Sequence, residues 1–263
     1  TMPVGGCRQL ECKELLYVPE IRPVGKMVVE WPLSIIGTRF ATGENVYLIK
    51  PLVDDSLPFL CKFEAAEFAK LAINAYLASS ITIANALQDA AYELGVDYSM
   101  IERVLRQEPR IGKGAFVQAG LGFGGSCLPK DLRGLCRQIG PSLFGLLGDW
   151  NEHRIERTVQ RIEKLLGGSL EGKRICQLGL TFKPGSDCLT DSKSLELKDA
   201  LLDRGANIRR HDPYIYPDPP LNPKPGDYDL FILATPHPEY YQLWQHLPSE
   251  KKFCPWSNPF GSV

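Results

Sequence analysis

The residues best suited to chemistry lie together in Gly120-Leu121-Gly122-Phe123-Gly124-Gly125-Ser126-Cys127-Leu128-Pro129-Lys130-Asp131. Four glycines in six positions permit positive φ angles and close backbone approach, which suits a flexible floor for a substrate. Cys127 follows at once, and Pro129 fits the first turn of a helix, where its missing N–H is no loss. The cysteine is therefore expected at or just before a helix N-terminus, where free N–H groups and the helix dipole favour a thiolate. Lys130 and Asp131 add one charge of each sign within the first turn. A nucleophile, a floor and an acid/base pair are what covalent catalysis needs. The competing reading is a glycine-rich connection closed by a buried, inert cysteine.

The same stretch spells Gly120-x-Gly122-x-x-Gly125, the dinucleotide-binding fingerprint. The approach Gly114-Ala115-Phe116-Val117-Gln118-Ala119 carries no strand signal and no βαβ unit surrounds it, so that reading is set aside.

The elements that must position this loop come next. A chain of 263 residues with 44% hydrophobic content can bury a sizeable core and divides into two or more units. A formal net charge of −1 gives no case for nucleic acid or anionic membranes. No apolar run approaches the ~18 residues of a spanning helix, and nothing at the start resembles a signal peptide, so the expected location is cytoplasmic. The eight cysteines are scattered without a C-x-x-C pair, and His153, His211, His237 and His246 stand alone. Neither a disulfide framework nor a metal site is expected, and each histidine reads as surface or core packing. The chain opens on Thr1, and Thr1-Met2-Pro3-Val4-Gly5-Gly6 reads as a strand end entering a turn, so an earlier part of a longer protein is expected upstream.

Residues 1–58 carry short α/β elements: a helix over Leu10–Leu16, strands around Met27–Val29, Ser34–Gly37 and Val46–Ile49, and Pro19-Glu20 in a loop. Apolar residues of helical period from Phe63 to Leu94, closed by Gly95, predict one long helix of roughly 45–50 Å, suited to a strut or a dimer spine. Glu67, Lys70 and Asn74 share one face of it, which reads as a solvated face with an ion pair. Asn74, flanked by Ile73 and Ala75, has poor propensity there and wants a partner. Further helices are expected over 98–107, 130–139 and 149–166, with Pro109-Arg110-Ile111-Gly112 as a turn. Gly167-Gly168-Ser169 then reads as a linker.

A strand over Lys173–Leu180, a helix over about 192–204, strands over Asn207–His211 and Asp229–Thr235, and Phe253-Cys254 opening a fourth imply a parallel sheet with right-handed crossovers. Ligands of such sheets bind beyond the carboxyl ends of the strands, where Lys183 and Asp212 would lie.

Along nearly its full length the sequence resembles the UDP-glucose/GDP-mannose dehydrogenases. The resemblance is carried by Gly122 to Asp131, Thr1-Met2-Pro3-Val4-Gly5, Pro19-Glu20, Glu67-x-x-Lys70-Leu71-Ala72-x-Asn74-Ala75, Arg110-Ile111-Gly112, Gly179-Leu180-Thr181-Phe182-Lys183 and His211-Asp212-Pro213. It implies an α/β fold in three parts: a remnant of a Rossmann-like NAD domain (1–58), a central long-helix dimerisation and catalytic domain (59–168), and a parallel-sheet domain for the nucleotide sugar (169–263). It further implies NAD-dependent oxidation of the C6 alcohol of a nucleotide sugar to a carboxylate. Cys127 would attack the intermediate aldehyde, and hydride loss would leave a thioester. Lys70 and Asn74 would stabilise the substrate oxygen, Asp131 would hold a water or assist proton transfer, and Glu20 would be the base for hydrolysis. Gly122, Phe123, Gly124, Gly125 and Lys183 would hold the nucleotide sugar, and Thr1 and Lys130 would face NAD. Arg110 would reach a substrate across a homodimer interface on the long helix. The motifs resemble the UDP-glucose members most, with GDP-mannose as the alternative substrate and a truncated, non-catalytic UDP-sugar-binding module as the alternative class. Departures are Ile21, Arg22 and Val24 after Glu20, Thr190 after the Lys183 loop, and Pro255-Trp256-Ser257-Asn258, each where the family carries other residues.

Overall fold

The computed structural model describes residues 2–10, 15–19, 35–38, 59–215 and 224–260. Thr1, Glu20 and the strands expected at Met27–Val29 and Val46–Ile49 lie outside them. Strands β1 (Leu16–Tyr17), β2 (Ile35–Thr38) and β3 (Phe59–Cys61) form a sheet in that order, β1 antiparallel to β2 and β2 parallel to β3. Leu16 is thus in a strand and does not close a helix. Residues 11–14, the middle of the helix expected over Leu10–Leu16, lie outside the described residues; ahead of them the chain makes a 3₁₀ turn at Cys7–Gln9, where the carboxylate of Glu67 accepts the amides of Gly5 and Cys7.

Helix α1 spans Phe63–Glu93, 31 residues, and Gly95 follows it at φ +66°. The helix turns its small residues inward: Ala66, Ala75, Ala78, Ala84 and Ala91 are buried. They admit close approach of α2 (Tyr98–Gln107), α3 (Leu128–Ile139) and α4 (Leu143–Leu165). Asp97 starts α2 by accepting the Ser99 amide at 2.9 Å, a side-chain N-cap.

Beyond α4 lies a parallel sheet of order β5-β4-β6-β7, with β4 Arg174–Leu178, β5 Asn207–His211, β6 Leu230–Leu233 and β7 Lys252–Phe253. Helix α5 (Lys193–Leu202) crosses from β4 to β5, and the short α6 (Tyr241–His246) covers the other face. The central strands are apolar on both sides, as a sheet covered on both faces requires: β6 is buried at all four residues. One core joins β4, β6 and α5 to Ile155, Val159 and Ile162 of α4. Helix α4 therefore belongs to both halves of the molecule and ties them together.

Candidate functional site

Cys127 is the N-cap of α3, with φ −99° and ψ −62°, and it is half-buried. Its sulfur lies 3.7 Å from the Ser126 hydroxyl. Burial holds the thiols of Cys7, Cys176 and Cys254 up at about 12, with Glu67 adding to the effect at Cys7. Those three are inert at neutral pH; Cys127 is the accessible cysteine that starts a helix. Four residues on, the amide of Asp131 donates to the Cys127 carbonyl at 2.9 Å, the first bond of the helix.

Asp131 is buried, and Asn74 Nδ2 donates to its Oδ2 at 2.6 Å. Lys130 Nζ stands 3.4 Å from Oδ1 on the exposed side. The expected solvated face of α1 is therefore overturned: Glu67 and Asn74 are buried, the first clamping the chain at Gly5 and Cys7, the second holding Asp131. Lys70, one turn before Asn74, is half-buried. Tyr17, on β1, has its phenol pushed up by burial, with the charges of Glu67 and Asp131 acting in the same direction. A cleft of about 410 Å³ borders this group, lined by Met2, Pro3, Leu71, Lys130, Asp131 and Arg137 among others.

The glycine loop is gripped by side chains from elsewhere in the chain. Asn85 Oδ1 accepts the Gly120 amide at 2.8 Å, and Arg154 Nε donates to the Gly120 carbonyl at 2.9 Å. Asn151 pairs with both backbone groups of Phe123, at 2.8 and 3.0 Å. A Cβ at Gly122, which sits at φ +113°, would stand 2.5 Å from Asn151 Oδ1. A Cβ at Gly124 would overlap the carbonyl oxygen of Asp191. Leu121 drops into the core of the parallel sheet and Phe123 into the core of α1 and α3. Each burial is worth roughly 2–3 kcal/mol, so adjacent loop residues are anchored in different cores. Phe123 is buried to 4% exposure, and both its backbone groups are taken up by Asn151.

Asn85, Asn151 and Arg154 were not singled out in the sequence; Asn85, between Ala84 and Ala86, carries the signal that marks Asn74, whereas Asn151 and Arg154 stand in a polar run that hides their burial. Arg154 is buried and its guanidinium is pushed down to about 10 by burial, which Asp89 partly offsets.

At the carboxyl ends of the strands, Lys183 is half-buried with its ammonium 5.4 Å from the Phe182 ring. Asp212 is fully buried there and accepts from Leu180 N, Thr181 N and Tyr214 N. Arg110 is exposed on the turn after α2 and pairs with Glu108 at 2.8 Å. The structure thus gathers Cys127, Asp131, Asn74 and Lys130, and sets Arg110 apart on the surface. Among the described residues no group of three or more His, Cys, Asp or Glu side chains could hold a metal, and no helix is long and apolar enough to cross a membrane.

A thiol at a helix start, a buried carboxylate tied to a carboxamide, and a parallel sheet covered on both faces belong to one α/β protein. Models of the UDP-glucose/GDP-mannose dehydrogenase family match the chain twice, its central domain at residues 64–142 and its UDP binding domain at 176–254. Together these cover more than half of the sequence, and the chain belongs to that family. It is 37% identical over 153 residues to a UDP-glucose 6-dehydrogenase of Pseudomonas aeruginosa, a match covering 56% of this chain and 34% of that protein. With a UDP-glucose 6-dehydrogenase of Haloferax volcanii it shares 40% over 153 residues, covering 56% and 35%. The chain thus spans about a third of the length of these relatives. A UDP-glucose dehydrogenase structure from Pyrobaculum islandicum superposes with a TM-score of 0.75 at 28% identity, covering 89% of this chain and 57% of that one.

Proposed function

We propose that this chain carries the catalytic and nucleotide-sugar-binding parts of an NAD-dependent UDP-glucose 6-dehydrogenase, with GDP-mannose as the alternative substrate. The observation that carries the reading is Cys127, half-exposed as the cap of α3, with Asp131 in the first turn behind it held by Asn74 of α1.

In this reading the Cys127 thiolate adds to the carbon of the intermediate aldehyde, and its oxygen becomes an alkoxide that Lys70 and Asn74 stabilise as preorganised donors. Loss of hydride from the resulting thiohemiacetal leaves a thioester at Cys127. Asp131 orients a water or passes its proton, Glu20 acts as the base of hydrolysis, and the carboxylate leaves as the thiol is restored. NAD, when bound, would accept one hydride at each oxidation, alcohol to aldehyde and thiohemiacetal to thioester, so two molecules are consumed in turn. The cleft beside Asp131, with Lys130 and Arg137 on its wall, suits one end of such a dinucleotide, and Thr1 completes the assignment. The glycines at 120–125 do not suit its pyrophosphate, because the spaces they leave are filled by Trp256, Asn151, Asp191 and Phe182. Gly122, Gly124 and Gly125 serve the nucleotide sugar through their backbone, with Lys183 opposite. Exposed Tyr76, Ile83 and Leu87 on α1 and Met100 and Val104 on α2 supply an apolar face for a second copy, across which Arg110 reaches. Such an enzyme works in the cytoplasm, where its substrates are held.

The test is oxidation itself. Joined to an intact upstream half of the NAD domain, the protein is expected to form NADH from UDP-glucose and NAD and to release UDP-glucuronate, and Cys127→Ser to stall before acid release. An unchanged rate of glucuronate formation in that variant would overturn the mechanism. The filled glycine pattern favours a second reading, a non-catalytic module that binds the sugar nucleotide. Calorimetry separates the two: the module binds UDP-glucose and not NAD.

A further inference from the structure

His237 lies after β6 and is fully buried, as is Asp212 after β5. Gly185 donates its amide to His237 Nδ1 at 3.2 Å, so the ring proton sits on Nε2. That nitrogen is 3.1 Å from Asp212 Oδ2 and 3.1 Å from the Thr181 hydroxyl. Asp212 in turn accepts Leu180 N at 2.7 Å and Thr181 N at 3.2 Å. The Thr181 hydroxyl donates to the Lys183 carbonyl at 3.1 Å, and Thr235 Oγ1 donates to the Thr181 carbonyl at 2.6 Å. Tyr214 stacks on the imidazole with ring centroids 4.9 Å apart. One buried pair therefore fixes the loop 180–185 at Leu180, Thr181 and Gly185, and reaches Lys183 through Thr181.

The other side of this loop meets the glycine loop. A Cβ at Gly125 would lie 2.9 Å from the Phe182 ring, and Gly125 stands two residues before Cys127. We propose that His237 and Asp212 are positioning residues that set the Cys127 loop from the other half of the molecule, acting through Thr181 and the ring of Phe182. Buried hydrogen-bonded pairs hold one arrangement because any slippage strands a polar group away from water. As a device for catalysis this rests on the reaction proposed above; as geometry it concerns only where the cysteine is held.

The probe is iodoacetamide on the whole chain, with alkylation of the Cys127 and Cys136 peptides followed by mass spectrometry. Cys136 lies on the same helix but outside the loop, so their ratio separates loop release from general loosening. His237→Phe keeps a ring and removes the contacts with Gly185, Asp212 and Thr181; the Cys127 to Cys136 rate ratio is expected to rise about threefold or more as the thiol gains access. His237→Gln keeps a donor for Asp212 and is expected to fall between this variant and the wild type. Phe182→Leu removes the contact with Gly125 without touching the buried pair and is expected to raise the ratio by itself. It decides the matter if His237→Phe does not fold. An unchanged ratio in Phe182→Leu, or in a folded His237→Phe, overturns the proposal. The readout is indifferent to whether any sugar is oxidised, so its failure and that of the enzymatic reading are told apart.

Discussion

Asp212 shows how one side chain carries a whole loop. Burial would push its carboxyl up, but hydrogen bonds from His237, Leu180 N and Tyr214 N outweigh this and hold it below the usual carboxylate range. A carboxyl depressed in the folded state adds stability above its unfolded pKa, and that stability is lost as pH falls through the folded value. Thermal melts followed by circular dichroism should therefore drop in midpoint below about pH 4. Asp212→Asn should lower the melt at neutral pH, by roughly 1–3 kcal/mol of stability, and flatten the acid-side drop; a variant with the wild-type acid slope contradicts the assignment. Asp212 was legible as a residue at the carboxyl end of a strand, but not as a buried hub. Its partner His237 stands 25 residues away, and an isolated histidine carries no mark of what it will meet. Asn74 was legible because a carboxamide amid apolar neighbours needs a partner; that the partner is Asp131 is known only once α3 is laid beside α1.

Among the elements, the crossing of α1 and α4 is fastened at Asp89. Its carboxylate pairs with Arg154, with Arg157 at 3.0 Å and with Arg161 at 2.6 Å. Arg154 also pairs with Gln88 and with the Gly120 carbonyl, so the crossing and the glycine loop share a guanidinium. Asp89→Asn leaves that buried charge without its counterion and should cost about 3–5 kcal/mol in urea denaturation. Arg157→Ala, at a more exposed partner, should cost less than about 1 kcal/mol. Equal losses would mean that burial of Arg154 is not what sets the cost. The long helix was read nearly to the residue because its small and apolar positions keep one period over 31 residues. Helix α4 was expected from 149 and starts at Leu143, since Gly145 and Gly148 interrupt the pattern. It begins early because Gly145 N and Leu146 N both donate to the Ser142 carbonyl, and Phe144 and Leu147 pack against the core of α1 and α3. Tertiary packing overrides weak local propensity there.

For the whole molecule, the parallel order of β4, β5, β6 and β7 followed from alternation of strands and helices, and the structure has it. The joining of the two halves did not follow. Gln88 donates to the Pro255 carbonyl, Ser257 pairs with Ala119, and the Trp256 ring lies where a Gly120 side chain would go. These are links between residues more than a hundred positions apart, and they leave no periodic trace. The outward face is a separate matter. Tyr76 at 75% and Ile83 at 56% exposure stand seven residues apart on one side of α1, an exposed apolar pair on a chain of nearly neutral charge. Sedimentation analysis is expected to show a dimer for the native chain and a monomer for Tyr76→Glu/Ile83→Glu; an unaltered mass in the double variant would remove α1 as the contact.

Asp191 adopts φ +47°, the left-handed region that residues with a side chain seldom enter, and its carbonyl oxygen fills the place a Cβ on Gly124 would take. Gly124→Ala would press a methyl group onto that oxygen, so the loop before Cys127 and the turn before α5 would have to part to admit it.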